Sequence, residues 1–525
     1  MSAVYRSELT PVAFLRRAAY VHPDRIAVVH EDGRRITYRA LEERCHRLAN
    51  ALRAHGLKHG DRVAVLSPNA PAILEAHYAA PLAGAVLVAI NTRLAAGEID
   101  HILRHSGARM LLVDHALTML VEPLDLSGIE VVRIDDSGGA DDPYEQLVAS
   151  GAPARPESWL VHEEEPISIN YTSGTTGVPK GVVYTHRGAY LNALSEVIVA
   201  GLTPESAFLW TVPMFHCNGW CFPWAVTAVA ARHVTERAVD AGRVWELIER
   251  EGVTHYNGAP TVHIRVAEHP SAHRLERPVT VFSAAAPPSP TLFARLEELN
   301  FRIVHVYGLT ETYGPITVSP EPDGFGGLDA AGRAQVLSRQ GQAYPTADLV
   351  RVVDEHDDDV PLDGATMGEV VMRGNNVMLG YHDDPEGTAH AFRNGWFHSG
   401  DLAVWHPDGM IELRDRAKDI IISGGENIST IEVEQTLASH PAVLECAVVA
   451  IPHAHWGERP KAFVTLREGA EVTPEELIEH CRARIARFKA PDSIEFGPLP
   501  KTSTGKVQKY VLRDREWSDR ETRIN

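Results

Sequence analysis

The chain has 525 residues, and 50 Lys and Arg against 70 Asp and Glu leave a formal net charge of −20. At roughly 150 residues per domain this length allows about two to four domains, and 44% hydrophobic with 23% charged residues describes a globular chain rather than a disordered or fibrous one. The acidic balance argues against a nucleic-acid partner, which needs a basic face for phosphates, but leaves room for a small anion in a locally positive pocket.

Over the first 135 residues short β-branched runs alternate with amphipathic stretches. Strands are predicted at Arg25–His30, Arg62–Ser67, Ala85–Ile90, Met110–Asp114 and Glu130–Ile134, and helices at Tyr38–His55, Ala70–Leu82 and Gly97–His105. That alternation predicts parallel sheet joined by crossover helices. Acidic clusters at Glu163–Glu165 and Asp354–Asp359 read as solvated loops or turns. The most hydrophobic run, Cys217–Ala231, is too short for a bilayer and contains Pro223. The pattern returns with a strand at Val279–Ser283, a helix at Ser289–Leu299 and a strand at Ile303–Tyr307.

Near residue 415 the texture changes, with the charged segment Arg414–Asp419 between a strand-like run at Met410–Leu413 and the apolar Ile420–Ile422. Helices at Ser429–Ser439 and Pro474–Arg487 and strands at Ala447–Ile451 and Lys461–Leu466 follow. The expectation is an α/β protein, with a large N-terminal domain of parallel and mixed sheets over 1–415 and a small α+β domain over 416–525. Five Cys are too few for a disulfide framework. No signal-peptide pattern follows Arg16 and Arg17, and Arg523-Ile524-Asn525 is no peroxisomal address. The expected location is cytoplasmic, with no membrane span.

Tyr171-Thr172-Ser173-Gly174-Thr175-Thr176-Gly177-Val178-Pro179-Lys180-Gly181 suits an anion loop, because small residues let the backbone and hydroxyls approach a phosphate. Pro179 before Lys180 excludes a Walker A loop, and the strand-like Gly181–Tyr184 makes this a hairpin without a helix behind it. His305-Val306-Tyr307-Gly308-Leu309-Thr310-Glu311-Thr312 ends a buried strand with a ring able to stack on a base, and with a hydroxyl and carboxylate for a phosphate and Mg²⁺. Ser399-Gly400-Asp401 offers a carboxylate to a ribose diol, and Pro500–Lys506 presents two of only eight lysines.

In this order, these motifs resemble the adenylate-forming superfamily of acyl-CoA synthetases, carrier-protein-loading adenylation domains and beetle luciferases. Pro213-Met214-Phe215-His216-Cys217-Asn218-Gly219-Trp220 and Ser423-Gly424-Gly425-Glu426-Asn427-Ile428-Ser429 look like the branch of short- and medium-chain acyl-CoA ligases, methylthiopropionate-CoA ligases and plant acyl-activating enzymes. The resemblance implies ATP, Mg²⁺ and coenzyme A as cofactors and a small carboxylic acid as substrate. It also implies a homodimer and a small domain that rotates between the two half-reactions.

Residue by residue, it implies that Thr172, Ser173, Gly174, Thr175, Thr176, Gly177 and Lys180 hold the β/γ-phosphates, with Thr310 on the α-phosphate and Glu311 on Mg²⁺. His305, Val306, Tyr307 and Gly308 would line the adenine on one side and Ala285, Ala286 and Pro287 on the other. Asp401, Leu413 and Arg416 would surround the ribose. Lys506 falls on the adenylation lysine, Lys418 on the hinge, and Gly424 and Gly425 at the pantetheine tunnel. The acid pocket would comprise His216, Trp220, Ala259 and Ala284. His216 reads either as a gate between acid and ATP or as a satisfied buried histidine; His216, Cys217 and Cys221 lack a fourth ligand for zinc.

Where the family has a Gly-Gly or Gly-Ala pair after Ser283, this chain has Ala284-Ala285. The added methyls either narrow the acyl tunnel, favouring a compact aliphatic or aryl acid, or pack behind the strand without effect. Transfer to CoA is the leading expectation. The alternative acceptor is a carrier-protein thiol, an amine or a small inorganic species. Arg459, Lys461 and Lys489 are the candidate cations for the CoA nucleotide.

Overall fold

The computed structural model describes the chain apart from residues 1–3, 5, 173–178, 285–289, 417–418, 424–425, 454–455, 502–506 and 518–525. A seven-stranded sheet runs through strands 380–381, 180–185, 166–172, 86–89, 62–66, 108–114 and 130–134. Its interior pairs are parallel, as crossover helices require, and the hairpin Pro166–Thr172 with Lys180–Thr185 closes one side antiparallel. A nine-stranded sheet runs 342–343, 314–318, 301–309, 279–283, 255–258, 207–209, 232–235, 26–30 and 35–37, parallel in the middle and antiparallel at both ends.

One hydrophobic cluster draws on both sheets and on the helix Pro71–Leu82, which is buried along its whole length. A helix enclosed on every side needs no polar face, which is why this stretch is apolar all round. Its one carboxylate, Glu75, is held by the Arg44 guanidinium at 2.6 Å and the Tyr144 hydroxyl at 2.7 Å. Strands Arg351–Val353, Met367–Met372, Phe397–Trp405 and Ile411–Arg416 form a third, antiparallel sheet.

Beyond it, strands 426–428, 421–423, 457–466, 443–453 and 493–496 form a sheet with its own core of Ile421, Val433, Leu437, Val448, Val464, Leu477 and Trp517. Two departures from the sequence reading stand out. The strand Ile411–Arg416 continues into the charged segment, because Asp415 turns inward to accept the Thr430 N–H and hydroxyl at 2.6 and 2.7 Å. The helix expected over Pro474–Arg487 stops at Arg482, with a separate 3₁₀ turn at Arg487–Lys489. Among the described residues no helix is long and apolar enough to cross a membrane.

Candidate functional site

Strands His255–Gly258, Val279–Ser283 and Phe301–Leu309 run parallel, with Gly258 beside Ser283 and Ser283 beside His305. Their carboxyl ends therefore release Ala259, Ala284 and Val306–Gly308 along one edge, where open parallel sheets bind their ligands. The Tyr307 hydroxyl donates to one Asp401 oxygen at 2.7 Å, and Arg416, opposite Asp401 in the neighbouring strand, reaches the other at 3.3 Å. Burial, then the Asp401 charge, hold the Tyr307 phenol far above its ordinary range, so it remains a donor. Gly308 admits no side chain, because a Cβ there would collide with the Gly314 carbonyl.

The chain then makes a 3₁₀ turn, Thr310–Thr312. The Thr310 carbonyl accepts from the Tyr184 hydroxyl at 2.6 Å, and its side-chain oxygen accepts from the Cys217 thiol at 3.3 Å. Glu311 accepts from the Tyr381 hydroxyl at 2.9 Å, and burial raises its pKa. Among the described residues no Lys or Arg pairs with it. Across the hairpin, Thr172 and Lys180 face each other at the mouth of the loop. The Lys180 ammonium lies 3.3 Å from Asp384 and 4.6 Å from the centre of the Tyr381 ring. Tyr381 thus carries a cation on its face and a carboxylate on its hydroxyl.

His216 opens the turn that leads to Trp220, and its ring lies 3.7 Å from the Cys217 sulfur. The five residues from Cys217 to Cys221 all have positive φ, at 48°, 42°, 55°, 57° and 62°. Gly219 adopts this region freely and Asn218 tolerates it; for Cys217, Trp220 and Cys221 a left-handed conformation costs roughly 1–2 kcal/mol each. Trp220 is buried against Gly314, whose added Cβ would sit 3.0 Å from the indole. Ala259 caps the helix Pro260–Ala267, and Ala284, bonded to the Gly258 carbonyl, packs on the main core.

Several expected residues lie elsewhere or outside the described residues. His305 turns its imidazole to the Leu337 and Arg339 carbonyls at 2.7 and 3.0 Å, and burial pushes it down to about 4, so its ring braces a loop. The Leu413 N–H donates to Gln340 at 2.6 Å. Arg459, Lys461 and Lys489 are engaged by Asp492, Glu516 and Glu432 at 2.7, 2.8 and 2.6 Å. Ser173, Gly174, Thr175, Thr176, Gly177, Ala285, Ala286, Pro287, Lys418, Gly424, Gly425 and Lys506 lie outside the described residues. Sequence reasoning missed Tyr184, Tyr381 and Asp384, which carry no local motif.

Residues 15–382 match the model of the AMP-binding enzyme, and residues 432–506 that of the AMP-binding enzyme C-terminal domain. The chain belongs to the AMP-binding enzyme family. It is 44% identical to an acetate–CoA ligase of Humulus lupulus, covering 98% of this chain and 95% of the relative. It is 42% identical to an acetate/butyrate–CoA ligase of Arabidopsis thaliana designated peroxisomal, covering 96% and 94%. ATP-bound MatB from Rhodopseudomonas palustris has the same fold, with a TM-score of 0.86, 26% identity and coverage of 98% and 99%.

Proposed function

We propose that this protein activates a short carboxylic acid with ATP and transfers the acyl group to coenzyme A. The acid's carboxylate oxygen bonds to the α-phosphorus as the bond to the β-phosphate breaks, giving acyl-AMP and pyrophosphate. The CoA thiol, losing its proton, then bonds to the acyl carbon and AMP leaves. The observation that carries this reading is the edge where Tyr307, Asp401 and Arg416 meet Thr310 and Glu311, opposite Thr172 and Lys180. It offers an aromatic face, a carboxylate for a diol, and hydroxyl, ammonium and carboxylate groups for a polyphosphate.

In this reading Thr172, Lys180 and residues 173–177 hold the terminal phosphates and Thr310 the α-phosphate. Asp401 and Arg416 hold the ribose, and Lys506 neutralises charge building on the reacting oxygens. Glu311 fits a divalent cation: a partly desolvated carboxylate bonded to one neutral hydroxyl has unfilled demand for positive charge. Mg²⁺ held there would supply charge neutralisation to the phosphates. His216, Trp220, Ala259 and Ala284 bound the acid, and a buried indole with the Ala284 methyl among these residues favours a compact aliphatic acid over a long chain. The relatives named for acetate and butyrate support the same size.

We divide the chain at 415/416, in keeping with the separate core beyond Ile421. Lys418 would be the hinge, and Gly424 and Gly425 the tunnel mouth. All five cysteines are free thiols, which suits a reducing compartment such as the cytosol. The test is ATP–pyrophosphate exchange across a panel from acetate to hexanoate with benzoate, with and without CoA, following thioester by mass. Short aliphatic acids should support exchange and consume CoA. Exchange without CoA consumption would transfer the reading to another acceptor, and exchange only with benzoate would overturn the acid class.

A further inference from the structure

The left-handed turn at 217–221 holds Cys217, Trp220 and Cys221 against their backbone preference, so something outside the turn must hold it. The holding groups converge on Asn218, which is fully buried. Its backbone N–H donates to the Asn170 side-chain oxygen at 3.0 Å. Its own side-chain oxygen accepts from the Ser168 hydroxyl at 2.5 Å and the Asn170 amide at 2.6 Å. Its amide nitrogen lies 2.9 Å from His77 Nε2.

The direction of that last bond follows from the other side of the imidazole. His77 Nδ1 lies 2.7 Å from the Ile73 carbonyl, which can only accept, so Nδ1 carries the hydrogen and Nε2 is the bare acceptor. Burial keeps this ring neutral by pushing it down to about 4. Turning the Asn218 amide over would set its NH₂ against the Asn170 NH₂ and its oxygen against the His77 lone pair. Two repulsions would replace two bonds, so the network admits one orientation.

The supports come from two elements: Asn170 and Ser168 from the strand that leads into the phosphate loop, and His77 from the enclosed helix. What the turn delivers lies on its other side. It presents His216, sets the Cys217 thiol on Thr310 and packs Trp220 on Gly314.

We propose that Asn218, oriented by His77, Asn170 and Ser168, is a positioning residue that holds the left-handed turn and so fixes the acid-binding wall against the ATP-binding edge. The proposal rests on the reading of residues 216–220 as acid-binding. Asn170 is also held by its own ladder opposite Val182, so losing Asn218 should disturb the acid side more than the phosphate loop.

The decisive variant is Asn218→Gly, because glycine adopts the left-handed backbone without strain and removes only the anchor. Acid-dependent ATP–pyrophosphate exchange is measured with each substrate varied, beside circular dichroism and melting temperature. The expected result is an acid KM raised at least tenfold, an ATP KM within threefold of wild type, and unchanged secondary structure. His77→Leu should raise the acid KM in the same way. His77→Gln, whose side-chain oxygen can accept in place of Nε2, should recover most of that loss. An acid KM within twofold of wild type in Asn218→Gly overturns the proposal, as does an equal rise for acid and ATP, or no difference between the two His77 variants. No exchange by the wild-type protein with any acid overturns the ligase reading and this proposal with it.

Discussion

Replacing Tyr307 by Phe removes one oxygen from the proposed nucleotide edge and leaves the ring, its burial and its stacking face in place. The lost group is the hydroxyl that donates to Asp401 at 2.7 Å. A hydrogen bond to a charged acceptor contributes roughly 1.5–3 kcal/mol, equivalent to about 10- to 150-fold in an equilibrium constant. Arg416 still reaches the other Asp401 oxygen at 3.3 Å, so the carboxylate stays near its position and the lower end of that range applies. If Asp401 is oriented for the ribose, the loss appears as weaker nucleotide binding. The expected outcome for Tyr307→Phe is an ATP KM raised about tenfold, with the acid KM within threefold and kcat reduced less than the ATP KM rises. The assay is acid-dependent pyrophosphate release with each substrate varied at saturation of the other, alongside a thermal melt. A variant that melts several degrees lower yet keeps its ATP KM within twofold would refute the reasoning. The Tyr307–Asp401 bond would then serve the fold and not the nucleotide.

Tyr381→Phe removes the hydroxyl that lowers the Glu311 pKa against the raising effect of burial. Because Glu311 must be ionised to hold a cation, the acid limb of kcat/KM for ATP should move to higher pH, with a higher Mg²⁺ requirement; an unmoved limb counts against Glu311 as the cation-binding group. Glu236 is buried with both carboxylate oxygens unpartnered among the described residues, and burial, then Glu31 and Asp240, push it up to about 8. Its unfolded form ionises near the ordinary carboxylate value, so stability should fall by about 1.4 kcal/mol per pH unit from there up to pH 8. Glu236→Gln should remove most of that slope in melts between pH 5 and 9, without changing activity; a slope equal to wild type contradicts the assignment. Lys506→Ala should abolish acyl-AMP formation while largely sparing thioester formation from supplied acyl-AMP, and equal loss of both half-reactions rejects its role.

How much of this was legible follows the range of each interaction. The hairpin at Thr172–Lys180 was legible because glycines, hydroxyls and Pro179 lie together in the chain, and Pro179 alone removed the Walker alternative. The edge at Tyr307–Glu311 was legible because a buried strand ending in polar residues is a local pattern. Tyr381 was not, since its bond to Glu311 spans 70 positions and nothing near it in sequence marks the contact. The left-handed turn was unreadable for a stronger reason. Backbone preference argues against it at Cys217, Trp220 and Cys221, and the bonds that anchor its Asn218 come from residues 77, 168 and 170, far away in the chain.

The lysines expose a weakness in reasoning from composition. With eight in 525 residues, Lys180, Lys418, Lys461, Lys489 and Lys506 were each expected at the site, yet four of the five lysines beyond residue 460 are bonded to carboxylates. Lys461 meets Glu516 at 2.8 Å, Lys489 meets Glu432 at 2.6 Å, Lys501 meets Glu445 at 2.6 Å and Lys509 meets Glu434 at 2.7 Å. Scarcity shows that a residue type was retained; only its partners show for what. Lys509 is the instructive case. Its buried ammonium also donates to Thr430 at 2.6 Å, beside Asp415, and burial opposes its charge less than Glu434, Asp415 and Asp419 together favour it. Three positions past Lys506, it pins the C-terminal helix Lys509–Trp517 to the start of the helix Thr430–Ala438. The partners of Lys509 are carboxylates and a hydroxyl of the same small domain, so its ammonium serves packing there.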